Sequence, residues 1–328
     1  MTFWGEPTGQ PVLRKTAALI LLMGIALAWL TGTFTGSGLN DLLTASPTDM
    51  SCETAAATGC WWEWFRGPDY AGIARVLRTL GYVVITLFIG VAAVSRRDRA
   101  LVQLAITLSL VGDIFLVLVP MIVGVPEAPV GGVPPEPGFL QKNSFLIGLA
   151  VFLVVHIVLI VRHLKGLRAS LSGDDAAKAR KWTIGLAVFW AVVASGVVAI
   201  WWDLLSQQPT AMLAVFLIYM AVLATGVWAG TTVWLRSPFG DPDVPPYVPL
   251  NAAMIGIGMV CYGVTDVTLG LEHLYRSGET SERCWQIITV IKDLNYSPAL
   301  MFLAYSGFVW FGKGETVREY LEQEGRGV

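Results

Sequence analysis

The chain has 328 residues, 55 % of them hydrophobic and 14 % charged, with a formal net charge of −2 and a mean hydropathy of +0.62. Soluble domains carry roughly 25 % charged residues, so this composition excludes an ordinary soluble protein and reads as a polytopic membrane protein. The small net charge carries no information about partners, and no long basic run with interleaved aromatics supports nucleic-acid binding.

In chain order the apolar pattern gives eight predicted spans, each near the ~20 residues a helix needs to cross the hydrocarbon core. They are Thr16 to Phe34, Ile73 to Ser95, Leu101 to Val123, Ser144 to Val161, Thr183 to Trp202, Ala211 to Leu235, Leu250 to Leu274 and Ile287 to Phe311. The first follows Arg14 and Lys15 and has the core of a signal peptide, but its length favours a span. Thirteen Trp, among them Trp61, Trp62, Trp64, Trp201 and Trp202 near segment ends, fit interfacial aromatic belts.

Lys and Arg fall into alternate loops. One set holds Arg14 and Lys15, Arg96, Arg97 and Arg99, the stretch from Arg162 to Lys181, Arg236, and Lys313, Arg318 and Arg326. That side is expected to be cytoplasmic. The fold class is therefore all-α, a membrane bundle of eight transmembrane helices with both termini cytoplasmic. Its expected parts are an N-terminal helix with an extracytoplasmic loop over 1–72, a seven-helix core over 73–311 and a cytoplasmic tail over 312–328.

Two longer insertions lie on the other side. Gly36 to Tyr70 contains Cys52 and Cys60, and Pro126 to Pro137 is a Pro- and Gly-rich loop. A Cys52–Cys60 disulfide fits an oxidising compartment but leaves Cys284 unpaired. No cysteine pair has the spacing of a zinc knuckle, and no metal or cofactor is expected.

Ionisable groups inside spans are costly and mark functional sites by default. Asp113 lies near the middle of the third span, His156 in the fourth, Tyr219 in the sixth, Asp266 in the seventh after Thr265, and Arg78 near the outer end of the second. On a rise of about 1.5 Å per residue, Arg78, Asp113, Tyr219, Asp266 and Asp293 sit ~20 to 27 Å from the cytoplasmic ends and can meet in the outer half of the membrane. His156 comes out only ~10 Å in, leaving its membership of that level open. Each has a packing alternative: a paired or protonated Asp, a packed Tyr219 or His156, a back-bonded Thr265, a snorkelling Arg78. Lys292 with Asp293 reads as an interfacial pair at a helix start, Glu272 with His273 as reaching the outer headgroups, and the segment Lys165 to Lys181 as a solvated loop.

The wording of four spans resembles the YhhN-like lysoplasmalogenase family of integral membrane proteins. Ser109, Leu110, Gly112, Asp113 and Leu116 match one motif, and Phe145, Gly148, Leu149, Phe152, Leu153 and His156 a second. Gly258 before Tyr262, Gly263, Val264, Thr265 and Asp266 matches a third, with Tyr262 and Thr265 replacing the family's Phe and Ser, and Tyr219 falls where the family has a tyrosine. The family's basic residue on the second helix, usually Lys, is matched by Arg78, with Arg75 in reserve, and the last helix fits poorly around Tyr296.

The resemblance implies hydrolysis of the vinyl-ether bond of a lysoplasmalogen, a lysophospholipid, to a fatty aldehyde and a glycerophospho-alcohol. That chemistry suits two carboxyls: one carrying a proton to give to the vinyl ether, the other ionised to stabilise the cation and deprotonate water. Asp113 and Asp266 are the expected pair. Tyr219 and Thr265 would orient water or acid, His156 would support an aspartate, and Arg78 would bind the lipid phosphate or act on an aspartate. The alternatives are a metal-dependent, ceramidase-like amidase, disfavoured because only His156 of three histidines looks deep in a span, and a proton-coupled transporter or channel, for which no inverted repeat is visible. Membrane lipid is the expected surrounding and the oligomeric state is open. Arg-over-Lys usage with Ala, Gly and Val richness reads as bacterial, which would place the protein in the plasma membrane.

Overall fold

A computed structural model describes residues 68–87, 96–123, 138–170, 176–236, 249–276 and 282–307, and all of its regular structure is helical. In order these are α1 (Pro68–Leu87), α2 (Arg96–Asp113), a π-helical turn (Ile114–Leu118), α3 (Val119–Val123), α4 (Phe139–Ser170), α5 (Ala176–Ile200), α6 (Trp202–Ser206), α7 (Thr210–Arg236), α8 (Pro249–Arg276) and α9 (Glu282–Tyr305).

Among the described residues, six stretches are long and apolar enough to cross a membrane: Arg97–Leu118, Asn143–Leu164, Ala177–Ile200, Thr210–Leu235, Asn251–Leu274 and Ile287–Tyr305. They correspond to the third to eighth expected spans. The second expected span coincides with α1 as far as Leu87, the last described residue of that helix. The first expected span, Cys52 and Cys60, and the tail lie outside the described residues.

The core is formed where α1, α2, α4, α7, α8 and α9 meet, around Tyr82, Ile106, Phe152, Tyr219, Tyr262, Tyr296 and Leu300. Helix α5 stands at the periphery. Only 6 % of its apolar span is buried, against 50 % for α8, so most of α5 presents Val and Ile side chains outward, as a lipid-facing helix does.

Two glycines set the approach of α2 to α4. A Cβ on Gly112 would lie 2.5 Å from Phe152 Cε2, and one on Gly148 would lie 2.6 Å from Leu116 Cδ2. Small residues let membrane helices pack closely; here they bring the Asp113 turn against the helix that carries His156.

Immediately beyond Asp113 the helix widens. The Val119 N–H reaches back to the Ile114 carbonyl, a span of five residues. Pro120 supplies the cause, since it has no N–H to offer the carbonyl of Leu116 and its ring clashes with a tight preceding turn. Such π-turns occur often at functional sites.

Helix α4 runs well past the expected span end at Val161, to Ser170. Counted from there, His156 lies about 21 Å in rather than ~10 Å, level with the other polar groups. The shift arises because Arg162 and His163, which read as the start of a basic loop, are both inside the protein, at 1 % and 0 % exposure.

Candidate active site

The site is assembled from six helices. On α2, Asp113 is buried and takes two hydrogen bonds on one oxygen: Thr79 Oγ1 of α1 donates to Oδ2 at 2.5 Å, and the Tyr296 hydroxyl of α9 donates to the same atom at 2.8 Å. On α8, Asp266 is held the same way. His156 Nε2 of α4 lies 2.5 Å from its Oδ2, and the Tyr219 hydroxyl of α7 donates to that oxygen as well. Among the described residues neither Oδ1 has a hydrogen-bond partner, and both aspartates line one cavity of about 140 Å³.

Phe152, Tyr262 and Tyr296 are mutually in edge or tilted contact with ring centroids 6.2 to 6.4 Å apart, and Phe152 and Tyr296 line the cavity. The Tyr262 hydroxyl is 2.9 Å from Ser109 Oγ, which also donates to the Ala105 carbonyl. The His156 ring lies 4.8 Å from that of Tyr262, and its Nδ1 is buried with no partner. The imidazole is thus positioned by packing and by one carboxylate oxygen.

The far end of the cavity is strongly charged. Arg75 Nη2 donates to Asp293 Oδ1 at 2.6 Å, and Lys292 Nζ donates to Glu272 Oε2. All four residues line the cavity, and the nearly coplanar stack of Phe145 on His273, 3.6 Å between centroids, forms part of its wall. Lys292, expected with Asp293 at an interface, and Glu272, expected with His273 at the outer headgroups, are instead both buried and bonded to each other.

The sequence-derived site residues are distributed as follows. Asp113 and Asp266 share the cavity, and His156 and Tyr219 hold Asp266. Thr265 lines the cavity while its hydroxyl donates to the Cys261 carbonyl at 2.9 Å, the back-bonded arrangement of a helical threonine. Arg78 does not line the cavity. Its guanidinium carbon lies 5.4 Å from the centre of the Tyr296 ring, and its Nε and Nη2 are buried without partners. Arg75, one turn earlier, is the arginine that reaches the cavity.

Sequence reasoning missed Thr79 and Tyr296 and set aside Glu272, His273, Lys292 and Asp293. Helical spacing carries a signal for them: Arg75, Thr79 and Tyr82 repeat at i, i+4 and i+7, Asp266 and His273 lie seven apart on α8, and Lys292 and Tyr296 four apart on α9. His163 was also missed as a buried residue; neither of its ring nitrogens has a partner. Two histidines are therefore buried in the fourth span, but no group of three or more His, Cys, Asp or Glu that could hold a metal is found among the described residues.

Fold and site together define a polytopic helical membrane protein with two buried aspartates opening on a shared polar cavity. A family model for the YhhN family matches residues 73–290, and the chain belongs to that family. No curated protein and no solved structure matches it.

Proposed function

We propose that the protein is a membrane-embedded hydrolase that cleaves the vinyl-ether bond of lysoplasmalogens. The observation that carries this reading is that Asp113 and Asp266, from α2 and α8, line one cavity, each with Oδ2 held by two hydrogen-bond partners.

A vinyl ether is activated by protonation of its β-carbon. One aspartic acid donates that proton, leaving an oxocarbenium ion whose positive charge the carboxylates stabilise. The second, ionised aspartate takes a proton from water as the water oxygen bonds to the α-carbon. The resulting hemiacetal loses the glycerol oxygen, which leaves with a proton, giving a fatty aldehyde and a glycerophospho-alcohol. No other reactant is consumed.

Fixing one oxygen of each carboxylate with two donors holds the other in a constant direction. This is the positioning that acid–base transfer requires. Tyr219 and His156 orient Asp266, while Thr79 and Tyr296 orient Asp113. The aromatic wall of Phe152 and Tyr296, backed by Tyr262, limits water around the cation.

In the membrane the reading extends to eight spans with both termini cytoplasmic. The cavity residues Arg75, Glu272, His273 and Lys292 lie toward the helix ends opposite the basic loops, so the substrate headgroup is taken up at the extracytoplasmic face.

The test is aldehyde release by detergent-purified protein from a lysoplasmalogen and from its saturated-ether analogue, alongside Asp113→Asn and Asp266→Asn. Release only from the vinyl ether, lost in both variants with unchanged thermal unfolding, supports the reading. No release by folded wild-type protein across several headgroups and pH values overturns it.

A further inference from the structure

We propose that the hydrocarbon chain of the lysolipid leaves the aspartate pair through an apolar passage that starts at Asp266, runs between α4, α7 and α8 and ends in the groove between α5 and α7, with Phe216 and Met220 as its gate. This inference rests on the proposed lipid-hydrolase reading and deepens it by giving the chain a site.

The two carbons of a vinyl ether are the first two carbons of the chain, so a chain whose vinyl ether lies at the carboxylates must continue from there. The catalytic cavity offers it little room. It measures about 140 Å³ and holds Arg75, Glu272, Lys292 and Asp293, whose charges an apolar chain would strip of hydration. The seam between α2 and α4 is shut, since Phe152 and Leu116 already fill the space over Gly112 and Gly148.

The α7 side of Asp266 is different. A second cavity lies there, walled by Leu149 of α4, Leu205 of α6, Met212, Phe216 and Met220 of α7 and Gly270 of α8. It shares Phe145, Asp266 and His273 with the catalytic cavity, so the Phe145–His273 stack is a common wall and Asp266 borders both spaces.

The second cavity encloses only about 20 Å³, room for about one water, and a chain enters it by displacing side chains. Those that fill it move readily. Met212 and Met220 are unbranched and adapt to irregular gaps, and Phe216 rests on Gly270, where a Cβ would lie 2.8 Å from its Cε2. Met220 also lines the groove between α5 and α7, a space of about 850 Å³ bordered by Ala194, Leu217, Ala221 and Ala224. Both spaces back onto this one methionine, and its movement joins them. The groove is a fixed feature: Trp190 Nε1 donates to Thr231 Oγ1 and Trp228 Nε1 to the Thr183 carbonyl, each at 3.0 Å, bracing the two helices across it. A helix, about 10 Å across with its side chains, could cover the groove but not enter the passage. A single alkyl chain can follow both.

The experiment maps the chain without turnover. A saturated-ether lysophosphoethanolamine, which has no vinyl ether to cleave, carries a photoreactive diazirine at mid-chain or at the chain end. It is irradiated with detergent-purified full-length protein, with and without excess unlabelled ether lysolipid, and the labelled peptides are mapped. Label that the competitor removes is expected on α7 between Met212 and Met220 from the mid-chain probe, and along the α5–α7 groove from the end probe. Label that it does not remove, on the outward Val188 and Val192, reports detergent-phase contact only. Met220→Trp is expected to abolish the competed groove label, while Met220→Leu, which conserves volume, keeps it. Phe216→Ala is expected to shift the preferred substrate toward longer chains. Competed label on Leu116 or Val117, no competed label on α7, or an unchanged pattern in Met220→Trp overturns the passage. Aldehyde release is scored separately. Competed label on α7 without release keeps the passage and loses the hydrolase reading; release with competed label elsewhere does the reverse.

Discussion

The two ends of the bundle both bury charge, and they treat it in opposite ways. At one end, Asp98, Arg162, Ser306 and Asn251 form a network in which the guanidinium makes four hydrogen bonds and the Ser306 carbonyl also accepts from Asn251 Nδ2 at 2.8 Å. At the other, Asp113 and Asp266 line a cavity whose Arg75 and Lys292 each make one hydrogen bond among the described residues, to Asp293 and Glu272. The first arrangement ties α2, α4, α8 and α9 into one body. The second has spare capacity directed at a cavity, which is what a site for chemistry needs and what a structural lock avoids.

This contrast can be broken first where the expected effect is largest. Removing an essential acid or base by Asp113→Asn or Asp266→Asn is expected to lower aldehyde release by about 10² to 10⁴-fold with little change in thermal unfolding. At the closed end the expected order is reversed. Arg162→Met removes the guanidinium that ion-pairs with the buried Asp98 and is expected to cost about 3 to 5 kcal/mol of stability, read as a fall in denaturation midpoint, whereas Asp98→Asn/Arg162→Met recovers much of it.

A sharper comparison sets the donors against the acids they hold. Tyr219→Phe and Tyr296→Phe each remove one hydrogen bond to a carboxylate oxygen, worth about 1.5 to 3 kcal/mol. Each is expected to reduce kcat by roughly 10- to 100-fold, the conversion of that energy, while KM stays near the wild-type value. Thr265→Val is expected to have the smallest effect, under about threefold, because the Thr265 hydroxyl is committed to the Cys261 carbonyl. A comparable loss for Thr265→Val and Tyr219→Phe would contradict the assignment of Tyr219 as the positioning donor.

How much of this was legible in the sequence follows from the same contrast. The buried aspartates stood out because a carboxylate in an apolar run has no other place to be read. His156 and Tyr219 followed from their motif context, and six of the expected spans coincide with helices of spanning length. The charged groups near helix ends were misjudged for one physical reason. A Lys, Arg or Glu within a turn or two of a span boundary looks solvated when the end is placed from hydropathy alone. Arg162, Glu272, Lys292 and Asp293 all fall there, and each instead lies on the inward face of a helix that continues beyond the apolar run. The preference for Arg78 over Arg75 failed similarly: the two are one turn apart, and only the packing of α1 against α2 and α9 determines which one reaches the cavity. Thr79 and Tyr296 were invisible as ligands of Asp113 because a hydroxyl in a span is ordinarily a neutral packing residue.

The central claim, that the two aspartates form one catalytic pair, is tested most directly by aldehyde release from a lysoplasmalogen under single-turnover conditions by wild type, each Asp→Asn variant and the double variant. Residues that act as a unit are grossly non-additive. The account predicts that Asp113→Asn/Asp266→Asn is no slower than the more damaged single variant. Losses that multiply, or an Asp266→Asn protein that retains wild-type release, would contradict it.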